Sequence, residues 1–501
     1  MVRRSRWVIV GVRLVFVLSL MTVGYYAKEK NAVGNIKRFF SKVISKNTDI
    51  PKDFVLGAFS NPETIELEFK SKNYTKLMND REIAMSRGIL LKDHRQEVPV
   101  KIKYKDKAYK ASARLKGDWS DHFNSDKISF RINIKGNENL MALNEFSLQS
   151  PEARSFMTEW ICHKLEEREN LIHLRTNYVN VVIDGKKKGI YQIEEYFDNT
   201  IFQNNNLPEG ILFKFEGDAF ELKVFNRKSI MASDTLRNYL SVLFQKYDAF
   251  VDNKLALNNF LDVEKFARAY AITDLVRGYH QFYFNNIHFY FNPRTGLVEP
   301  IGREWNDYFS DNTLIAIDLV NDPTFPNNPL NYWFHERLFQ DSVFLRKYYK
   351  NLARMSEHKY LDIFFKEIEK PLEENLSILY KNYPLYKFKK SDLYVNQVII
   401  QKKLSPIRPL AAYYKKDTMG NIKLEIRKFS NFPIILKNIQ VNGKKNLFKE
   451  PVFIGSNKHP NRYIEISLPF GVNSDSPIME MEYNLMGADA DSVMQILKAS
   501  I

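Results

Sequence analysis

The hydrophobic pattern of this chain changes period repeatedly, and the order of those changes is the tightest constraint on its fold. Ile65 to Phe69, Val98 to Tyr104 and Lys127 to Ile134 alternate apolar and polar residues, the period of two of half-buried strands. Ser150-Pro151-Glu152 is a helix start, and apolar residues follow at helical spacing to about Asn170. Tyr178 to Ile183 and Gly189 to Ile193 are again extended, and the Asp184-Gly185 between them is a strong hairpin signal. Two amphipathic helices are expected between Asp234 and Arg277, then strands at His288–Phe291 and Leu297–Ile301, joined by Asn292-Pro293-Arg294-Thr295-Gly296. Residues 330–380 read as mostly helical, with aromatics at core spacing. Beyond Pro406, Leu424 to Lys428, Ile434 to Val441, Asn442-Gly443 and Tyr463 to Leu468 read as short strands and turns. The class is α+β, with a small all-β module over 406–501.

The chain has 501 residues, 44% of them hydrophobic, with 19 Gly and 19 Pro. That is globular rather than disordered composition and is enough for two or three domains. The net charge is +15, but the lysines are dispersed and no zinc-finger, helix-turn-helix or RNA-recognition signature occurs. Such charge attracts anions without reading a base sequence, so no specific nucleic-acid partner is expected. The single cysteine, Cys162, excludes an intrachain disulfide, thiolate catalysis and a structural zinc site, and its helical setting reads as a buried structural thiol.

Arg3, Arg4 and Arg6 precede an apolar run from Trp7 to Tyr26 broken mainly by Arg13. About 20 residues suffice for a helix to cross a bilayer. No small-x-small cleavage site follows, which favours an uncleaved signal anchor over residues 1–27. The arginines place the N-terminus inside and the body outside the cytoplasm, although Lys28, Lys30, Lys37, Arg38, Lys42 and Lys46 press the other way. Residues 28–55 form a basic juxtamembrane linker.

Four motifs then occur in order. Ala113-Arg114-Leu115-Lys116-Gly117 is followed by Lys127-Ile128-Ser129-Phe130-Arg131. The Arg154 segment leads to Thr176-Asn177-Tyr178-Val179 and Val182-Ile183-Asp184-Gly185. Gly189-Ile190-Tyr191 runs through Glu195 to Asp198, with Phe213-Lys214 beyond. Asn286, Tyr290, Pro293 and Pro300-Ile301 precede Glu304-Trp305-Asn306-Asp307. Together they resemble the spore-coat-protein-H (CotH) kinase-like family. The resemblance implies an atypical protein-kinase-like core over 56–405, with a β-rich N-lobe and a helical C-lobe, using ATP and Mg²⁺ or Mn²⁺.

Phosphoryl transfer requires cations on the phosphate oxygens, oxygen ligands for the metal and a group to position the acceptor hydroxyl. Lys116 and Lys127 are candidate phosphate cations, with Arg114 and Arg131 as bidentate partners, unless these are solvent-facing strand residues. Lys214 joins them through its motif. Glu195 is either the acid that pairs with one of those lysines or a surface acid beside Glu194. Neither a glycine-rich phosphate loop nor a Walker sequence occurs.

The resemblance also exposes a departure. Family members carry an aspartate about five residues before the Asn of the strand motif, and here that position falls on His280 or Gln281. The later pair of aspartates falls on Glu304 and Asn306, which with Asn286 retain hard oxygen donors for Mg²⁺. His280 is either a base, a task that the unperturbed histidine pKa of about 6.5 suits, or a histidine packed among Tyr279, Phe282 and Tyr283. Asp274 lies twelve residues before Asn286, too far to substitute. Three readings follow: a membrane-anchored Ser/Thr protein kinase acting on a partner protein; a pseudokinase scaffold in cell-envelope or surface-structure assembly; and, from paired acids such as Glu194 with Glu195 or Glu304 with Asp307, a carbohydrate-processing protein.

Overall fold

The computed structural model describes residues 50–499 apart from 137, 218–220, 226, 284–285, 306–313, 323–329, 331, 417–420, 456–463 and 472–476. The expected anchor over 1–27, most of the linker and Asn306 lie outside the described residues. Among the described residues no helix is long and apolar enough to cross a membrane.

The protein is α+β and divides into two compact units. The first holds the described residues up to Trp160, with Arg175–Tyr196 and Lys366–Phe388. Its centre is a closed barrel of β1 (Thr64–Glu68), β2 (Val98–Tyr104), β3 (Lys107–Leu115), β4 (Phe130–Ile134), β5 (Glu145–Gln149), β6 (Thr176–Ile183) and β7 (Lys186–Glu195), in the order β1-β2-β3-β4-β5-β7-β6. All neighbours are antiparallel except β1 and β6. The alternation explains the closure. Val98, Val100 and Ile102 of β2 join Ala113, Leu115, Ile132, Phe146, Leu148, Tyr191 and Ile193 in one buried cluster, while Pro99 and Lys101 between them are exposed.

Asp184 and Gly185 both have positive φ, 48° and 74°, the backbone that a two-residue hairpin turn demands. Asp184 also accepts the Phe69 N–H at 2.7 Å, which ties this turn to the end of β1. The strand read over 127–134 begins only at Phe130. The helix read from Ser150 breaks into a 3₁₀ turn at Pro151–Arg154, left-handed Ser155 and Phe156, and a helix at Thr158–Arg168.

The second unit comprises Ile161–Leu174, Phe197–Phe365 and Lys389–Ile501. A four-stranded sheet of β8 (Ile211–Glu216), β9 (Glu221–Val224), β10 (His288–Asn292) and β11 (Leu297–Ile301) runs in the order β11-β10-β8-β9. Helices at Asp234–Val251, Val263–Val276, Trp333–Gln340, Ser342–Ser356 and Lys390–Leu404 belong to the same unit. Its C-terminal part is a seven-stranded sheet of β12 (Leu410–Lys416), β13 (Asn421–Lys428), β14 (Ile434–Val441), β15 (Lys444–Ile454), β16 (Ile464–Gly471), β17 (Met479–Leu485) and β18 (Ser492–Lys498). Asn442-Gly443 turns β14 into β15 with φ of 47° and 77°.

Gly189 has φ +83°, and an added Cβ would lie 2.3 Å from Asn382 Oδ1, the same atom that accepts the Ile190 N–H. Gly185 has a similar φ with nothing within 4 Å. Gly185→Ala therefore costs about 1–2 kcal/mol, the left-handed penalty alone. Gly189→Ala costs at least about 1 kcal/mol more, because the contact with Asn382 must also yield. Denaturant titration of the two variants checks the difference.

Candidate functional site

Register decides which charges of the barrel meet. Arg131 lies opposite Arg114 and Ser147, Ser147 opposite Glu194, and Glu194 opposite Thr176. One row of alternate positions across five strands is therefore polar. Lys116 follows β3 directly, donating its backbone N–H to Ser129 O at 2.9 Å. Its ammonium donates to Gln149 Oε1 and lies 3.6 Å from Glu194 Oε2. Gln149 Nε2 donates to the same Glu194 oxygen, and Arg154 Nε reaches it at 3.4 Å. Glu194 and Gln149 have no solvent exposure, and Lys116 and Arg154 are buried. In that setting a carboxylate is tolerable only with such partners.

Glu195 does not pair with Lys116 or Lys127, as the sequence left open. Adjacent residues of a strand face opposite ways, so Glu194 and Glu195 cannot both turn toward Lys116. Nor is Glu195 a surface acid: it is buried, and Arg175 donates to it from Nη2 at 2.6 Å, from Nε at 3.2 Å and from its backbone N–H at 3.0 Å. Arg131 stacks 3.5 Å over the Tyr196 ring, with Glu145 at 3.8 Å. Arg114 donates to Leu115 O at 3.1 Å. Lys127, ahead of β4, donates to Ile190 O at 3.1 Å and Tyr383 OH at 2.7 Å and lies over the Tyr383 ring. None of these partners belongs to the Lys116 network. The same barrel face holds Gln192, buried with neither end of its amide hydrogen-bonded, and the buried Ser147 and Thr176 hydroxyls, also without partners. Such orphaned groups are rare in folded proteins.

The second cluster lies in the other unit. Lys214 of β8 is opposite His288 of β10, and His288 is opposite Ile301, the end of β11. Arg303 and Glu304 follow. Left-handed Arg277 (φ 60°) ends the helix Val263–Val276 and directs the chain into the 3₁₀ turn Tyr279–Phe282, which carries His280. The His280 ring is within 3.3 Å of Glu304 O through Nδ1 and 3.2 Å of Asn286 Nδ2 through Nε2. Both contacts are satisfied when the proton sits on Nδ1, so that Nδ1–H donates to the carbonyl and Nε2 accepts from the amide. The Glu304 carboxylate is 4.0 Å from His280 Nδ1 and 3.2 Å from Arg303. Glu304 has φ +61°, a conformation that costs about 1–2 kcal/mol outside glycine.

Burial is the main cause that lowers the Lys214 amine, followed by Lys223 and Arg303, against Glu216 and Glu304. Burial likewise holds His288 neutral, with Arg303 and Lys214 adding to the effect. Its ring stacks on Phe197 at 4.1 Å. The structure thus brings together His280, Asn286 and Glu304, with Lys214 in their electrostatic reach. Asn306 lies outside the described residues. Gln281 is buried and donates to Thr273 Oγ1 at 2.7 Å, so of the two residues at the aspartate position only His280 faces the cluster. Arg303, His288, Gln149 and Arg175 were not singled out from the sequence; Arg154 was named there as the marker of the second motif, without a role. Of the four, only Arg303, beside Glu304 in a motif, carried a local signal.

Among the described residues no group of three His, Cys, Asp or Glu side chains could hold a metal. One carboxylate, Glu304, and one amide, Asn286, still fit Mg²⁺, which commonly takes one or two carboxylates and completes its shell with water and phosphate oxygens.

The family model described as CotH kinase protein matches residues 113–387, more than half of the chain. The chain belongs to that family. No curated protein matches it.

Glu194→Ala leaves Lys116 and Arg154 buried without their shared carboxylate and is expected to cost about 3–5 kcal/mol in denaturant unfolding, whereas Glu195→Gln retains one acceptor oxygen for Arg175, whose side chain is partly exposed, and costs less. Burial lowers the Lys127 amine from 10.5 to about 8. Its unfolded form binds a proton more tightly between those values, so this group's contribution makes stability rise with pH from about 8 to 10.5. The urea midpoint of the wild type should gain on that of Lys127→Met across this window.

Proposed function

We propose that the protein is a membrane-anchored kinase-like phosphotransferase, moving the γ-phosphoryl group of ATP to a Ser or Thr hydroxyl of a partner protein. The observation that carries the reading is the convergence of His280, Asn286 and Glu304 in a member of this family. Glu304 and Asn286 would hold Mg²⁺, with Asn306 beside them in sequence. The metal, when bound, neutralises phosphate charge.

The chain's own residues take up the rest of the chemistry. Lys214 and Arg303, in the same unit as Glu304, offset negative charge on phosphate oxygens. The acceptor oxygen attacks the γ-phosphorus as the bond to ADP breaks, and its proton passes to His280 Nε2. Asn286 Nδ2 also lies 3.1 Å from His280 O, an acceptor to which the amide can turn as Nε2 takes the proton. The Glu304 carboxylate then faces the imidazolium and stabilises its charge. Residues 1–27 anchor the chain as an uncleaved signal anchor, with the body outside the cytoplasm.

A second reading rests on the same turn. Histidine stands where the family carries aspartate, and a chain that binds nucleotide without transferring phosphate would act as a scaffold in envelope or surface assembly. One assay separates the two. The full chain in detergent, with γ-labelled ATP, Mg²⁺ or Mn²⁺ and a Ser-rich peptide, should transfer label, falling at least about 100-fold in Glu304→Ala and His280→Ala. ATP binding by calorimetry without transfer in the wild type supports the scaffold. Absence of ATP binding overturns both.

A further inference from the structure

The helix Val263–Val276 is almost wholly buried along one side, and among Phe266, Tyr270 and Leu275 it carries one carboxylate, Asp274. Three donors meet it. The Tyr279 hydroxyl donates to Oδ1 at 2.8 Å and the Ala316 N–H to the same oxygen at 2.7 Å, while the Tyr348 hydroxyl donates to Oδ2. These donors belong to three segments far apart in sequence. Tyr279 immediately precedes His280. Ala316 opens the helix Ala316–Asn321, the first helix after Glu304 among the described residues. Tyr348 belongs to the helix Ser342–Ser356. Leu314 O adds a second tie, accepting from Arg277 Nη1 at 3.2 Å and lying 3.3 Å from Tyr279 OH, whose one proton it shares with the nearer Asp274.

Behind these groups lies the turn between β13 and β14. Phe432 stacks against the Tyr348 ring at 6.1 Å and meets Tyr349 edge-on at 5.3 Å. Asn431 Nδ2 donates to Asp318 Oδ1 at 2.6 Å. Asp318 in turn accepts the Ile315 N–H at 3.0 Å and pairs with Lys403 at 2.7 Å. The C-terminal sheet therefore supports both the helix behind Asp274 and the segment in front of it.

We infer that Asp274 is a positioning residue for the His280–Glu304 cluster, and that the Asn431–Phe432 turn of the C-terminal sheet completes its support. An apolar residue would fill the site without the cost of burying a carboxylate, but it could not bind the Tyr279 hydroxyl and the Ala316 amide at once. Those two bonds fix the turn that carries His280 and the chain that returns after Glu304. The catalytic consequence rests on the kinase reading above; the positioning itself does not.

Hydrogen exchange of the full chain in detergent tests it. Asp274→Ala should speed exchange in 277–283 and 314–321 by at least about tenfold, with the barrel segment 98–115 unchanged. Tyr279→Phe should loosen 277–283 most, with a smaller effect at Leu314, and Asn431→Ala 314–321 alone. In label transfer, Tyr279→Phe should lower kcat about tenfold with KM for ATP within about twofold, a split that general destabilisation does not produce. Uniform acceleration across the second unit in Tyr279→Phe, or no change in 277–283 in either variant, overturns the inference. If Asp274→Ala does not fold, Tyr279→Phe and Tyr348→Phe decide it. If the wild type transfers no label, the kinase reading fails, and the exchange pattern still decides the positioning claim.

Discussion

A carboxylate taken out of water must be met by donors, and each of the two units is arranged around such a group. In the barrel unit it is Glu194, on which Lys116, Gln149 and Arg154 converge. Its position follows from strand alternation: the interior of the barrel is apolar, so the charges occupy the other face of β7 and the strands beside it. In the second unit it is Asp274, held by two tyrosine hydroxyls and one backbone amide. Burial pushes its carboxyl up to about 7 despite the pull of these donors. Burial and the donors thus act in opposite directions on the same group.

The electrostatics of the second cluster point toward an anionic ligand. Arg303 and Lys214 both act on His288, which stays neutral, and Glu304 answers them with one negative charge. Two cations, one carboxylate and two amide or imidazole groups are the kinds of group that phosphoryl transfer uses. They are assembled here on an unusual backbone, since Glu304 occupies a left-handed conformation that side chains other than glycine rarely adopt. Strain of that kind persists where neighbouring structure over-determines it, and here Glu304 stands between Arg303 and Trp305, both buried.

Much of this was legible in the sequence. The strands at 65–69 and 98–104, the Asp184-Gly185 and Asn442-Gly443 hairpins, and the pair of strands around Gly296 follow from period and turn chemistry, which act over a few residues. His280, Asn286 and Glu304 were reachable through the order of the motifs. The break at Ser155–Phe156 was not, because helical spacing of apolar residues continues across it and only the positive φ values reveal the interruption. Glu195 carried the wrong expectation for a simple reason. Two adjacent acids look alike in a sequence, and their roles separate only when cross-strand register fixes which faces Lys116 and which faces Arg175.

Asp274 shows the same limit from the other side. Counting residues along the chain to Asn286 set it aside as a substitute for the missing aspartate, and its contacts are of another kind: left-handed Arg277 ends its helix and is followed by Tyr279, while Ala316 donates to it from a separate segment. By itself the sequence determined the α+β class, the kinase-like family and the residue types available for phosphate and metal, since these depend on local periodicity and ordered motifs. Tertiary structure alone decided which acid partners which cation, and which buried carboxylate holds the His280 turn. Those assignments depend on strand register and on contacts between segments tens of residues apart, and no local pattern encodes either.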